Sequence, residues 1–150
     1  MRAVIQRVTK ARVVVAHRTV GSIDAGVAVL LAVHHDDGDR QIQWLAEKII
    51  NLRIFSDSDG RMNRSLADIG GEMLIVSQFT LYGDCRKGRR PSYHEAAPPA
   101  RARELYERFI KEVAHHGTKT ATGCFGAEME LSVTNDGPVT IIIDTPAMNP

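Results

Sequence analysis

Two hydroxyls and a carboxamide fall within the four residues Ser77-Gln78-Phe79-Thr80, directly after the apolar run Met73-Leu74-Ile75-Val76. The run reads as a short buried strand. Polar groups at the end of such a strand cost free energy unless they are hydrogen-bonded or used. Two readings follow. In one, the strand ends in a capped turn whose hydroxyls bond to nearby backbone. In the other, the segment serves hydrolysis: a backbone N–H and a side-chain donor hold a developing oxyanion while a hydroxyl positions the substrate. No histidine or carboxylate adjoins the segment as a base, and the Gly-x-Ser-x-Gly pattern of a serine nucleophile elbow is absent.

Tyr82-Gly83-Asp84 follows, then the densest positive run of the chain, Arg86-Lys87-Gly88-Arg89-Arg90. Such a run is either a solvated loop or a contact for a nucleic-acid backbone, to which Arg86, Lys87, Arg89 and Arg90 are suited. Phe125, in Gly123-Cys124-Phe125-Gly126-Ala127, is a base-stacking platform or a core aromatic beside a tight turn. Cys124 is a thiol nucleophile only if a histidine reaches it, and otherwise a small hydrophobe. Asp136-Gly137-Pro138 is a hairpin turn or, because an X–Pro bond adopts cis for only about 0.5–1 kcal/mol, a rigid pair of carbonyls forming a pocket wall. Arg7, a cation inside an apolar strand, reads on sequence alone as an edge side chain snorkelling to water. His34-His35-Asp36-Asp37 invites a metal, but adjacent ligands with no distant partner make a poor cage, and the stretch reads as a solvated loop with a helix N-cap at Asp37 or Asp39. Ser56-Asp57-Ser58-Asp59-Gly60 lacks the spacing and terminal Glu of a calcium loop and reads as a tight turn.

The elements that must position these residues start with β-branched segments at Val4–Val8, Arg12–Ala16, Thr19–Ile23 and Val27–Val33, which read as an antiparallel meander. Ile42, Leu45, Ala46, Ile49 and Ile50 form one helical stripe. Arg53–Phe55 is a short strand, Ser65–Ile69 a helical turn stopped by Gly70-Gly71, and Pro91–Pro99 an irregular crossing. A second helix spans about Ala100–Ala114 and ends near His115-His116-Gly117. Thr118–Thr122 is a strand. Met129, Leu131 and Val133 alternate with polar residues as a half-buried strand, interrupted at Asn135–Pro138. Val139–Ile143 is the last strand and Thr145–Pro150 a tail.

A chain of 150 residues suits one domain with a real core, and its 43% hydrophobic and 25% charged composition is that of an ordinary soluble protein. Its longest apolar run, Val27–Val33, is too short to cross a bilayer, and the amino terminus lacks a signal peptide's apolar core. Cytoplasmic residence is the expectation. With only Cys85 and Cys124, neither a disulfide framework nor a zinc site is expected. The net charge of +1 gives no global attraction for nucleic acid, so any such partner must meet a local patch.

Several stretches together resemble the D-aminoacyl-tRNA deacylase family in its bacterial and general eukaryotic form. They are Met1–Val8, Arg53–Asp57, Ser77–Leu81, Arg90–Tyr93, Thr122–Ala127 and Asn135–Thr140, in the family's order and over nearly the whole chain. The resemblance implies an α+β fold of antiparallel, barrel-like β-sheets with two main helices packed outside, a single domain over residues 1–150, acting as a homodimer. It implies hydrolysis of the ester joining a D-amino acid to the 3′-terminal adenosine of tRNA, and release of glycine from mischarged alanine tRNA, without cofactor or metal. Ser77, Gln78, Phe79 and Thr80 would line the ester. Phe125 and Gly126 would meet the adenine. A cis Gly137–Pro138, reaching into the partner's site, would reject L side chains, and Arg7 becomes its brace. The tRNA's own 2′-hydroxyl would assist hydrolysis, which discounts Thr80 as nucleophile. Tyr82-Gly83 and Tyr93 depart from the family's usual residues, with RNA docking as the place where this would matter.

Overall fold

The computed structural model describes residues 1–147, so Met148, Asn149 and Pro150 of the expected tail lie outside it. The chain orders as β1 (Arg2–Val15), β2 (Arg18–Ile23), β3 (Gly26–Ala32), α1 (Asp39–Asn51), β4 (Phe55–Ser56), β5 (Met62–Arg64), α2 (Leu66–Ile69), β6 (Glu72–Ser77), a 3-10 turn (Phe79–Tyr82), α3 (Pro99–His115), β7 (Thr120–Thr122) and β8 (Glu130–Asp144). The main sheet runs β2-β1-β3-β6-β7, with β8 paired to β1. It curls into a nearly closed barrel because β2 returns to β7: a Cβ at Gly21 would stand 2.3 Å from the Thr122 carbonyl, so only glycine allows the approach. The expected α+β, barrel-like class holds, with one correction. β3–β6 and β6–β7 are parallel, so the sheet is mixed. The crossovers through α1 and α3 bring successive strands back in the same direction.

The meander is also corrected. The first two expected strands are one 14-residue strand, β1. β3 pairs with its first half and β2 with its second, while β8 runs antiparallel along both. Apolar side chains show why the strand is continuous yet reads as two. Ala3 and Ile5 enter the core under the helices. Val8, Ala11 and Val13 enter a second core inside the barrel. β8 switches in the same way: Leu131 packs on the inner core, Val139, Ile141 and Ile143 on the outer one. Register shifts around Val8 accommodate the exchange, and at that level Asp136–Val139 of β8 bulge out of the ladder.

β3 and β6 are apolar on both faces: Val27, Val29, Leu31, Met73 and Ile75 face the outer core, Ala28, Leu74 and Val76 the inner. α1 buries the stripe Ile42, Leu45, Ala46, Ile49 and Ile50. Each fully buried large member contributes about 1.5–3 kcal/mol, so truncating Leu45 to Ala costs about 2–5 kcal/mol. Its N-cap is Gly38, whose N–H donates to the Gln41 side chain at 3.0 Å, neither Asp37 nor Asp39. Asp37 instead is buried, accepting the His34 amide at 2.6 Å and the Met1 ammonium at 2.6 Å. α3 begins with Pro99 in its first turn and buries Ala102, Leu105, Tyr106, Phe109 and Val113. No described helix is long and apolar enough to cross a membrane.

Candidate active site

β6 ends at Ser77, and the chain enters the 3-10 turn at once. The Gln78 amide still donates to the Leu31 carbonyl at 2.8 Å, extending the parallel ladder by one bond. The first bond of the turn runs from Leu81 N–H to the Gln78 carbonyl at 3.2 Å, so the amides of Phe79 and Thr80 lie ahead of it. The Gln78 side chain donates to the Thr80 hydroxyl. Two main-chain donors, a carboxamide and a hydroxyl therefore gather at one strand end.

Ser77, Gln78 and Phe79 line, with Val76, one side of a cavity of about 760 Å³ whose other side is Phe125, Gly126 and Ala127, while Thr80 is exposed and stands outside the lining. One atom ties the two sides together. The Ile75 carbonyl accepts the buried Tyr106 hydroxyl of α3 at 2.8 Å and the Gly123 amide at 3.2 Å. The Tyr106 ring lies 5.7 Å from that of Phe125, so helix, strand and aromatic loop are positioned jointly. Burial pushes the Tyr106 phenol well above its ordinary range, keeping it a neutral donor. Leu31–Val33 and Ala96–Pro99 close the remaining wall, the latter held by Ala97 N–H on the Val33 carbonyl at 2.9 Å.

Among the described residues, no Asp or Glu lines the cavity. His94, hydrogen-bonded to the Ser92 hydroxyl at 3.2 Å, also lines the cavity and was not legible as a site residue; Tyr93, expected to bear on RNA docking, lines it edge-on to Phe79 with ring centroids 5.1 Å apart. Arg103 was missed altogether, since an arginine on the polar side of a helix gives no local signal. Its guanidinium carbon lies 5.0 Å from the centroid of Phe125. Tyr82 is buried against Arg2 and His34, outside the cavity lining, so it packs the turn from behind.

Gly137 and Pro138 stand elsewhere. They form the exposed tip of the β8 bulge and do not line the cavity of their own chain. Their peptide bond is cis and Gly137 has φ +122°. Arg7 braces this corner and does not snorkel: only 11% of its side chain is exposed. It donates to the Ile54 carbonyl at 2.7 Å and the Asp136 carbonyl at 3.1 Å, with the Asp136 carboxylate at 3.3 Å. A Cβ on Gly137 would sit 2.9 Å from Arg7 Nη2.

The basic loop is exposed throughout. Arg86 is held by Asp84 through two hydrogen bonds of 2.9 and 2.7 Å, and the pairing draws the carboxyl far below its usual range. Lys87, Arg89 and Arg90 are exposed beside this pair. His34, His35 and Asp36 bring ligand-type atoms within 4.8 Å of one another on an exposed loop, but His34 Nδ1 accepts the Asp36 amide and His35 Nδ1 meets the Asp36 carboxylate at 2.9 Å.

In this barrel-like α+β domain the cavity sets the polar strand end against an aromatic-bearing loop, and the basic loop is a separate exposed segment. The chain belongs to the family described as D-Tyr-tRNA(Tyr) deacylase, which matches residues 4–144. It is 61% identical over 145 residues to the D-aminoacyl-tRNA deacylase of Thermosipho africanus, covering 97% of each chain. To that of Thermus aquaticus it is 57% identical, covering 97% of this chain and 95% of the relative. A solved structure of the c-Myc DNA unwinding element binding protein superposes with a TM-score of 0.92 at 38% identity, over 98% of this chain and 100% of that one. A solved structure of a probable eukaryotic D-amino acid tRNA deacylase shares the fold, with a TM-score of 0.83 at 21% identity over 95% and 97% of the two chains.

Proposed function

We propose that this protein hydrolyses the ester of D-aminoacyl-tRNA, and of glycine mischarged on alanine tRNA, releasing the amino acid and free tRNA in the cytoplasm. The observation that carries the reading is the split between a donor-rich cavity and a braced Gly137–Pro138 corner that does not line it. In a homodimer the corner of one copy enters the cavity of the other, where rigid carbonyls crowd the space an L side chain needs. A D side chain points away and glycine has none to reject. A thousandfold rejection corresponds to about 4 kcal/mol, within reach of a clash in a dry pocket.

The ester carbonyl lies against the Phe79 and Thr80 amides, which with the Gln78 carboxamide stabilise the developing oxyanion. The adenine lies against Phe125 and Gly126. The terminal 2′-hydroxyl of the tRNA assists attack, and the protein contributes orientation and electrostatics. Supporting this, the Thr80 hydroxyl is engaged by Gln78 rather than by a base, and among the described residues no carboxylate lines the cavity. Lys87, Arg89 and Arg90 face the RNA backbone, with Arg86 partly neutralised by Asp84.

The test is a deacylation assay on D-Tyr-tRNA, Gly-tRNA and L-Tyr-tRNA. Release of D-tyrosine and glycine with L-Tyr-tRNA left intact is the expected result. Binding of all three with no release would instead select a non-catalytic module for the tRNA 3′ end, a reading the exposed Phe79 and Tyr93 also suit.

A further inference from the structure

α3 carries Arg101, Arg103 and Arg108 along its polar side. Arg101 pairs with Glu104 at 3.0 Å, and Arg108 pairs with Asp39 and Glu104. Arg103 has no carboxylate partner among the described residues. Its one hydrogen bond, at 3.4 Å, goes to the Phe125 carbonyl, and its guanidinium lies over the Phe125 ring. Its Nη2 is 4.0 Å from where a Cβ on Gly126 would be, which puts it beside the cavity wall. Arg103 itself is exposed and does not line the cavity. A guanidinium has five N–H donors in a planar fork. One is used here, and the rest stand at the rim beside the stacking platform.

Resting on the reading that the substrate's terminal adenosine meets Phe125 and Gly126, we infer that Arg103 contacts the phosphate joining the last two nucleotides. The arginine does two things from one position. Its plane backs the Phe125 ring as a cation–π partner, and its free N–H groups meet the anion that a nucleotide on this platform carries on its 5′ side. Among the described residues no Lys or Arg lines the cavity, so Arg103 is the guanidinium beside this wall. The basic loop is a separate charge, reached from the 3-10 turn on the far side of Phe79 in the chain.

The test pairs kinetics with ligand binding. For Arg103→Met, KM for D-Tyr-tRNA rises about tenfold with kcat within about twofold, and the salt slope of kcat/KM falls by about one. Arg103→Lys recovers at least a third of the lost affinity on a logarithmic scale. In direct titration, adenosine 5′-monophosphate binds the wild type about tenfold more tightly than adenosine. Arg103→Met removes that preference and weakens adenosine by no more than about threefold, the share of the lost cation–π contact. An unchanged KM in Arg103→Met overturns the inference. So does an equal loss for both ligands, which would make Arg103 a brace for Phe125 alone, or the absence of any preference for the monophosphate in the wild type. Because the titration does not depend on turnover, it decides the role of Arg103 even if the wild type releases no D-tyrosine, a result that would sink only the deacylase reading.

Discussion

The strand end at Ser77–Thr80 and the strand corner at Gly137–Pro138 are built on opposite principles. The first is concave, donor-rich and backed by both cores. Its position is fixed by β6, whose Met73–Val76 are buried on both faces, and by the shared Ile75 carbonyl. The second is convex, exposed, and fixed by the mostly buried Arg7, which reaches between two loops, and by Asn135, which accepts the Val139 amide at 3.2 Å. A cavity needs a wall that does not yield, and the sheet interior provides it. A projecting wedge has no interior behind it, so a cation bonded to main-chain carbonyls takes that role. The two features do not meet within one chain, which is why a second copy is part of the proposed site.

The largest expected effect breaks the wedge. Gly137→Ala puts a Cβ 2.9 Å from Arg7 Nη2 at a φ of +122° that L side chains rarely adopt. The tip must shift, and the preference for D-Tyr-tRNA over L-Tyr-tRNA, measured as the ratio of kcat/KM, falls about a hundredfold or more, equivalent to about 2.7 kcal/mol. If the ratio holds, the corner does not select chirality.

Breaking the cavity wall comes next. Phe125→Ala removes the proposed stacking platform and is expected to raise KM about ten- to hundredfold, in keeping with about 1–3 kcal/mol per stacked base. Selectivity between D and L is unchanged, because the wedge is intact. A change in selectivity as large as that in KM would show that the two regions are not separable.

Arg7→Met keeps the length of the brace and removes its hydrogen bonds. Chemical denaturation should register a loss of about 1–3 kcal/mol, and the D-over-L ratio drops about tenfold, less than for Gly137→Ala because the tip keeps its own backbone. Thr80→Ala is milder. Turnover stays within about threefold of wild type, because the hydroxyl only receives the Gln78 amide. Loss of turnover with tRNA binding intact would make Thr80 the nucleophile and overturn RNA-assisted hydrolysis. His94→Ala, assayed beside it, checks whether the one histidine of the lining acts as a base.

The smallest effect belongs to neither region. The Asn63 side chain and nearby amides depress the Asp57 pKa, and the Ser65 amide and hydroxyl depress that of Asp68. A folded-state pKa below the unfolded one means stability that is complete above the ordinary carboxylate range and lost as pH falls through and below it. Asp57→Asn with Asp68→Asn flattens the fall in the denaturant midpoint between about pH 4 and pH 2, while deacylation at neutral pH is unchanged.

Much of the fold was legible because it rests on local patterns. The α1 stripe, the Gly70 stop of α2, the buried runs of β3 and β6 and the polar end of β6 at Ser77 all follow from side-chain periodicity and turn chemistry, whereas the 3-10 turn after Ser77 was not read. The long β1 did not. Its apolar residues change face at Val8, which in sequence looks like two strands, and only the exchange of partner from β3 to β2 makes it one. The parallel pairings were missed although the continuous apolar runs of β3 and β6 carry their mark, because a meander sets strands adjacent in sequence beside one another in the sheet.

The candidate site divides in the same way. The sequence by itself determined which segments carry chemistry: a polar strand end, an aromatic between glycines, a Gly-Pro interruption and a basic run. Each is a departure from the pattern around it, and such departures are local. Tertiary structure alone decided which of them share a space. It joined Ser77–Phe79 to Phe125 through the Ile75 carbonyl, added His94 and Arg103, and set Gly137–Pro138 apart on a corner held by Arg7. The physical reason is range: a turn, a cap or a stripe is set by residues within a few positions, whereas a carbonyl that receives a tyrosine from 31 residues away exists only once the sheet and helix have packed.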